Sequence, residues 1–178
     1  MNFNIDELRL IHFADPSMSV KPIPFDFEVD KDKAVELSTA LYTKMKEFGG
    51  AGISANQLGL PYRVFVIGNA ETSRAFFNPT IIGVSKEEVV MEERSLSFPD
   101  FSLSLRRPEI VSIEYQDDTG ASHTDTFSGV AARIILHEYD HMEGRNFMMH
   151  SSNFKFKLAL TRWKKKQKKL RRLVNNGK

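Results

Sequence analysis

The 178-residue chain has no cysteine. This excludes disulfides and thiolate metal ligands and fits a reducing cytoplasm, the localisation expected here. Long apolar runs are missing as well. None approaches the ~20 residues that a membrane-spanning helix requires, so no membrane partner is expected. Met1 to Arg9 carry no basic stretch leading into an apolar core, so no signal peptide is expected. Acidic residues are absent after Glu143. From Lys155 to Lys178 stand eleven of the 25 Lys and Arg, while residues 1–154 hold all 23 Asp and Glu against the remaining 14 basic residues. A basic tail on an acidic body points to a polyanionic partner.

The composition, 41% hydrophobic and 27% charged, rules out a disordered chain, and the length suits one domain with a real core. We expect a body over residues 1–154 and a basic helical tail over 155–178, the two forming a single domain and a monomer. Residues 1–30, with Pro16, Pro22 and Pro24, read as irregular. Leu37, Leu41, Met45 and Phe48 recur at helical spacing and predict a helix over 31–48, capped by Asp30 or Asp32 and stopped at Gly49-Gly50. Residues 50–57 read as a Gly-rich turn. Strands are predicted over 62–67, 76–84, 89–93, 101–106 and 109–116. Asp117 to Gly120 is a turn signal, and a partner strand over 122–127 closes a hairpin. A helix over 129–143, with Val130, Ala131, Ile134 and Ile135 on its apolar face, and an amphipathic segment over 153–174 complete an α+β order.

His137-Glu138-Tyr139-Asp140-His141 carries the chemistry. A spacing of four puts both imidazoles on one helix face, where they can share a metal, and Glu138 stands next to them. A divalent metal makes water acidic enough to attack near neutral pH, and a carboxylate takes the proton. Zinc proteases share this signature but need a third ligand downstream. Phe147 stands where the extended motif has histidine, no acidic residue follows Glu143, and the offset of His150 fits neither pattern. The third ligand is therefore expected upstream, which makes a metalloprotease a poor alternative.

Two upstream segments are Gly50-Ala51-Gly52-Ile53-Ser54-Ala55-Asn56-Gln57 and Glu93-Arg94-Ser95-Leu96-Ser97-Phe98-Pro99. Together with His137 to Gly144 they resemble, in order and spacing, the three motifs of peptide deformylases. The first two of those read G-x-G-x-A-A-x-Q and E-G-C-L-S-x-P. The resemblance runs from about Lys33 to Met148 and includes Phe77-Asn78-Pro79. It implies a deformylase-like α+β fold with antiparallel or mixed sheets around a central metal-binding helix. It implies a hydrolase that removes the formyl group from formyl-Met nascent peptides. By that resemblance His137, His141 and Ser95 match the metal ligands, and Glu138 the acid/base. Gln57 and the Leu96 backbone N–H match the donors that hold the formyl oxygen. Gly52 and Ala51 match substrate-contacting positions, with Gly52 left bare for the substrate backbone. Met91, Val130 and Ile134 are expected to wall the methionine pocket. The implied cofactor is one divalent ion, Fe2+ by resemblance, with Zn2+, Ni2+ or Co2+ as alternatives.

Two departures stand out. The family's metal-binding cysteine is replaced by Ser95, and the glycine before it by Arg94. A thiolate neutralises one metal charge and supplies a soft donor, whereas a serine hydroxyl binds as a neutral oxygen. Weaker metal affinity and a shift toward harder ions are expected. Three explanations stay open: a working ligand in a divergent enzyme, a catalytically silent relative binding ribosome or nascent peptide, or an introduced substitution. The resemblance also makes ribosomal RNA the first candidate for the polyanion that the basic tail seeks.

Overall fold

A computed structural model describes residues 5–69 and 71–176. It contains three α-helices, α1 (Phe27–Glu47), α2 (Gly129–Met142) and α3 (Asn153–Asn176). Seven strands accompany them: β1 (Gly52–Ser54), β2 (Val64–Gly68), β3 (Ser73–Val84), β4 (Glu88–Ser95), β5 (Phe98–Pro108), β6 (Ile110–Gln116) and β7 (Ser122–Ser128). Strands β1, β2, β3, β6 and β7 form one antiparallel sheet in the order β1-β2-β3-β6-β7, and β4 pairs with β5 as a separate hairpin. The α+β expectation holds, with antiparallel sheets and a C-terminal helix.

Leu37, Leu41 and Met45, one turn apart on α1, are fully buried against Ile53, Val64, Val66 and Phe77. On α2 the residues Ala132, Ile135 and Leu136 pack on Phe65, Phe76, Val111 and Ile113. Burying such side chains is worth roughly 1.5–3 kcal/mol each, so α2 is held rigidly against the sheet. This corrects the predicted apolar face: Val130 is exposed, and the positions 130, 134 and 138 follow one another along a separate stripe of the helix.

Helix α1 begins four residues earlier than predicted. Its cap is Asp26, whose side chain accepts the Glu28 N–H (2.9 Å), rather than Asp30 or Asp32. Asp30 lies inside the helix at a kink (φ −118°, ψ 17°). The predicted turn over 50–57 contains a short strand, β1, followed by a 3-10 turn, Ala55–Leu58. The irregular N-terminal reading covers two more such turns, Ile5–Glu7 and Pro16–Ser19, while residues 1–4 lie outside the described residues. Strands β4 and β5 run longer than predicted because each stabilises the other in a continuous ladder from Glu88↔Pro108 to Arg94↔Ser102. That ladder breaks between Arg94 and Ser95.

Helix α3 lies on β5. Phe156, Ala159, Leu160 and Trp163 pack on the cluster of Phe98, Phe101, Leu103, Leu105 and Phe147. Trp163 also donates to the Pro99 carbonyl (3.1 Å). The basic half beyond Gln167 is exposed from Lys168 to Leu173, and residues 177 and 178 lie outside the described residues. No helix of the described residues is long and apolar enough to cross a membrane.

Candidate active site

Three segments converge at one end of α2. Strand β1 and the turn after it bring Gly52 and Gln57, the end of β4 brings Ser95 and Leu96, and α2 brings His137, Glu138 and His141. Asn56 Nδ2 donates to the His141 carbonyl (3.2 Å), which ties the turn carrying Gln57 to the helix. A cleft of 540 Å³ opens here. Its floor holds Gln57, Ser95, His137 and Glu138, its walls include Leu10, Phe48, Leu96 and Phe98, and Arg94 and Asp100 stand at its rim.

The imidazoles of His137 and His141 lie one turn apart, with ring centroids 5.5 Å from each other. His137 Nδ1 is 3.0 Å from Glu93 Oε2. The carboxylate accepts the hydrogen bond donated by Nδ1–H, leaving Nε2 as a lone-pair donor. His141 is buried, and neither of its ring nitrogens has a hydrogen-bond partner. Burial, with the nearby His137 adding to it, pushes its pKa down to about 3, so the ring is neutral and can ligate. Two buried imidazoles without partners for their inward nitrogens suit a metal ion and otherwise cost free energy.

Among the described residues no third His, Cys, Asp or Glu joins them. Ser95 is the remaining donor of the matched set in the cleft. Its Oγ accepts the Ser97 N–H (3.2 Å) and faces Gln57 Nε2 at 3.5 Å. Both lone pairs of the hydroxyl thus point at donors. The Gln57 contact, at the limit of a hydrogen bond, is the one that yields most easily. The donor set therefore fits a divalent ion, through two imidazoles and one neutral oxygen.

Gln57 is braced for a different task. Its Oε1 accepts both Ser54 N and Ser54 Oγ, each at 3.0 Å, which turns the amide NH2 toward Ser95 and Ser97. Glu138 is buried with Oε2 unpartnered. Burial pushes its carboxyl up to about 7, against the opposing pull of His137 and the Ser54 hydroxyl. A carboxyl poised near neutrality is suited to accept and return a proton. Gly52 proves bare for a reason beyond the one expected. A Cβ there would sit 2.7 Å from Ile134 Cγ2 and 2.8 Å from Glu138 Oε1.

Met91, Val130 and Ile134 lie outside the lining of this cleft. Ile134 adjoins it, 2.7 Å from where a Cβ on Gly52 would stand, and Val130 follows one turn further from Glu138 along α2. On β4, Met91 shares the inward face with Glu93 and Ser95. Ala51 and Gly52 line the cleft directly.

Sequence reasoning assigned no role to Glu93, Arg107, Arg133 or Asp140, yet these four form a buried charge network behind the site. Glu93 accepts from Arg107 Nε (2.7 Å), Arg107 Nη2 (2.8 Å) and Arg133 Nη1 (2.9 Å) while holding His137. Burial alone would raise the Glu93 carboxyl, but hydrogen bonds and charge from His137 and Arg107 outweigh it and hold it down at about 2. Arg107 Nη1 also donates to Asp140 (2.7 Å), which pairs with His150 at 2.9 Å. The available signal was the inward register of 91, 93 and 95 on β4, which points Glu93 at α2. A second cleft, of 560 Å³, lies between α1 and the β6–β7 turn, away from these groups. Among its charges Asp117 pairs with His123 and Arg74 with Asp125, while Asp118 accepts from the Ser38 hydroxyl (2.8 Å).

Comparisons with known proteins agree on one group. The family model for polypeptide deformylase matches residues 8–157. A peptide deformylase of Christiangramia forsetii is 34% identical over 168 residues, covering 85% of each chain. The crystal structure of a plant peptide deformylase superposes with a TM-score of 0.84 at 27% identity, covering 98% of this chain and 96% of that one. An Acinetobacter baumannii peptide deformylase crystallised with Met-Ala-Ser gives a TM-score of 0.77 at 26% identity, covering 85% of this chain and all of that one.

Proposed function

The chain belongs to the peptide deformylase family and hydrolyses the formyl group from formyl-Met polypeptides, and we propose that His137, His141, Ser95, Glu138, Gln57 and Leu96 are the groups that do so. The comparisons give no support to the silent alternative. The family is metal-dependent. Here His137 Nε2, a ring nitrogen of His141 and Ser95 Oγ would hold one divalent ion. That ion supplies the Lewis acidity by which water becomes a nucleophile near neutral pH. With Ser95 in place of a thiolate, the set favours a harder ion than a sulfur-containing site would, among Fe2+, Zn2+, Ni2+ and Co2+.

The chain's own groups divide the remaining work. Glu138 takes a proton from the attacking water and delivers it to the leaving amine nitrogen as the C–N bond breaks. Gln57 Nε2, freed from its long contact with Ser95, donates to the formyl oxygen as negative charge grows there. The Leu96 N–H is the second donor. Donors of this kind are each worth about 3 kcal/mol at the transition state. The products are formate and a free N-terminal amine. Ala51 and Gly52 line the path of the substrate backbone, and the stripe of Val130 and Ile134 with Met91 opposite offers an apolar groove for the methionine side chain. Met-Ala-Ser, which the Acinetobacter relative binds, has the composition of such a product.

The observation that carries this reading is the buried Glu138 carboxyl, its Oε2 without a partner, in the same cleft as Gln57, His137 and Ser95. Formate release from formyl-Met-Ala-Ser is expected from the metal-loaded protein and not from Glu138→Ala, with the fold retained in both.

We further propose a cytoplasmic monomer whose α3 docks on ribosomal RNA through its exposed basic half. Lys164, Lys165, Lys168, Lys169, Arg171 and Arg172 supply the charge. The packing of Phe156 and Trp163 on the core means that removing all of α3 would expose that core. Truncation after Gln167 is therefore the cleaner test, and ribosome co-sedimentation should fall with it and with salt.

A further inference from the structure

Strand β4 alternates strictly. Val89, Met91, Glu93 and Ser95 face inward, and Val90, Glu92 and Arg94 face solvent. The inward set builds the site. The outward set places a cation at its mouth, because Arg94 lines the same cleft as Gln57, Ser95, His137 and Glu138. A glycine at this position, as in the motif that the sequence resembles, would leave the rim without that charge.

The two charged rim residues are not equivalent. Asp100 is committed on both oxygens, Oδ1 to Lys166 (3.1 Å) and Oδ2 to Gln167 (3.2 Å). Arg94 is committed along one edge only. Its Nε (3.0 Å) and Nη2 (2.6 Å) both donate to a single oxygen of Glu92, which lies outside the cleft lining. Nη1 has no partner among the described residues. The pair is a surface one, with side chains 76% and 50% exposed, and such pairs hold weakly. The Nη1–Nη2 edge of the guanidinium is thus uncommitted while the Nε edge keeps its anchor. A planar fork of this kind matches a carboxylate.

We propose that Arg94 is a specificity-determining residue that favours substrates carrying an acidic side chain at the first or second position after the formylated methionine. The inference rests on the deformylase reading, which places the formyl-Met end over Gln57 and Glu138. The chain that follows must leave past the rim, and extended residues advance about 3.3 Å each, so the next one or two pass Arg94.

The test compares kcat/KM for formyl-Met-Asp-Ala against formyl-Met-Lys-Ala, and for formyl-Met-Ala-Asp against formyl-Met-Ala-Lys. Binding of the corresponding deformylated peptides is measured by calorimetry on the same protein. At least one acidic peptide should be preferred by about three- to fivefold at low salt, with the preference fading toward one in 1 M salt. Arg94→Gly should abolish the preference, and Arg94→Glu should invert it, an outcome that a purely structural role for the residue would not produce. Equal binding of acidic and basic peptides at both positions overturns the proposal, as does a preference that Arg94→Glu leaves unchanged. A protein that releases no formate but still binds Met-Asp-Ala over Met-Lys-Ala refutes the activity while supporting the role of Arg94.

Discussion

Replacing Glu93 by Gln removes the single negative charge that His137, Arg107 and Arg133 share. The carboxyl is held at about 2 against an ordinary value of 4.5. By linkage that difference is worth about 3 kcal/mol of stability at neutral pH. Loss of one partner from a buried ion pair typically costs about 3–5 kcal/mol, so the two routes agree. The folded value is depressed, so the stabilisation is complete above pH 4.5 and is lost as pH falls through about 2. For a chain of this size the expected fall in Tm at pH 7 is roughly 6–12 °C. Urea titration of the parent and Glu93→Gln should give a gap of about 3 kcal/mol at pH 7 and less than half of that at pH 3. A gap under about 1 kcal/mol at pH 7, the level of a surface pair, would refute the reasoning. A gap that does not shrink in acid would refute it equally.

Four further substitutions have expected outcomes that follow from the geometry. Glu138→Gln should lower formate release by at least about 100-fold in single-turnover assays. In metal-stripped protein the same change should raise Tm at pH 8: the Glu138 pKa is raised to about 7, so its favourable contribution lies at low pH and is lost as pH rises through that value. Gln57→Ala should cost about 10²–10³ in kcat, read by formate release under saturating substrate. Gly52→Ala should displace Glu138 Oε1, 2.8 Å from the new methyl, and lower kcat with circular dichroism unchanged. Ser95→Cys should slow metal loss during chelator dialysis, measured by elemental analysis, because a thiolate adds charge neutralisation at the site.

Periodic signals were legible in the sequence and cooperative ones were not. Leu37, Leu41 and Met45 announced α1 by spacing, but its true start depended on the Asp26 cap bond, which composition does not distinguish from Asp30 or Asp32. The paired histidines and Glu138 were visible because a helix turn brings fixed offsets together. That Gln57, Ser95 and Leu96 share their cleft was suggested by motif order. The convergence itself comes from two sheets meeting α2, a long-range arrangement. Glu93 stood in a quoted motif without a role, since its partners Arg107 and Arg133 lie 14 and 40 residues away. Gly52 was taken as bare for the substrate alone, whereas Ile134 and Glu138 already occupy its Cβ space. That contact depends on how α2 seats against β1.

The most direct measurement of the central claim is formate release from formyl-Met-Ala-Ser by protein of known metal content, with Glu138→Gln of equal metal content beside it. The account predicts formate and free amine in equal amounts from the metal-loaded parent, abolished by chelation and by Glu138→Gln. A folded, metal-loaded parent that releases no formate, or a Glu138→Gln protein that releases it at the parent's rate, would contradict it.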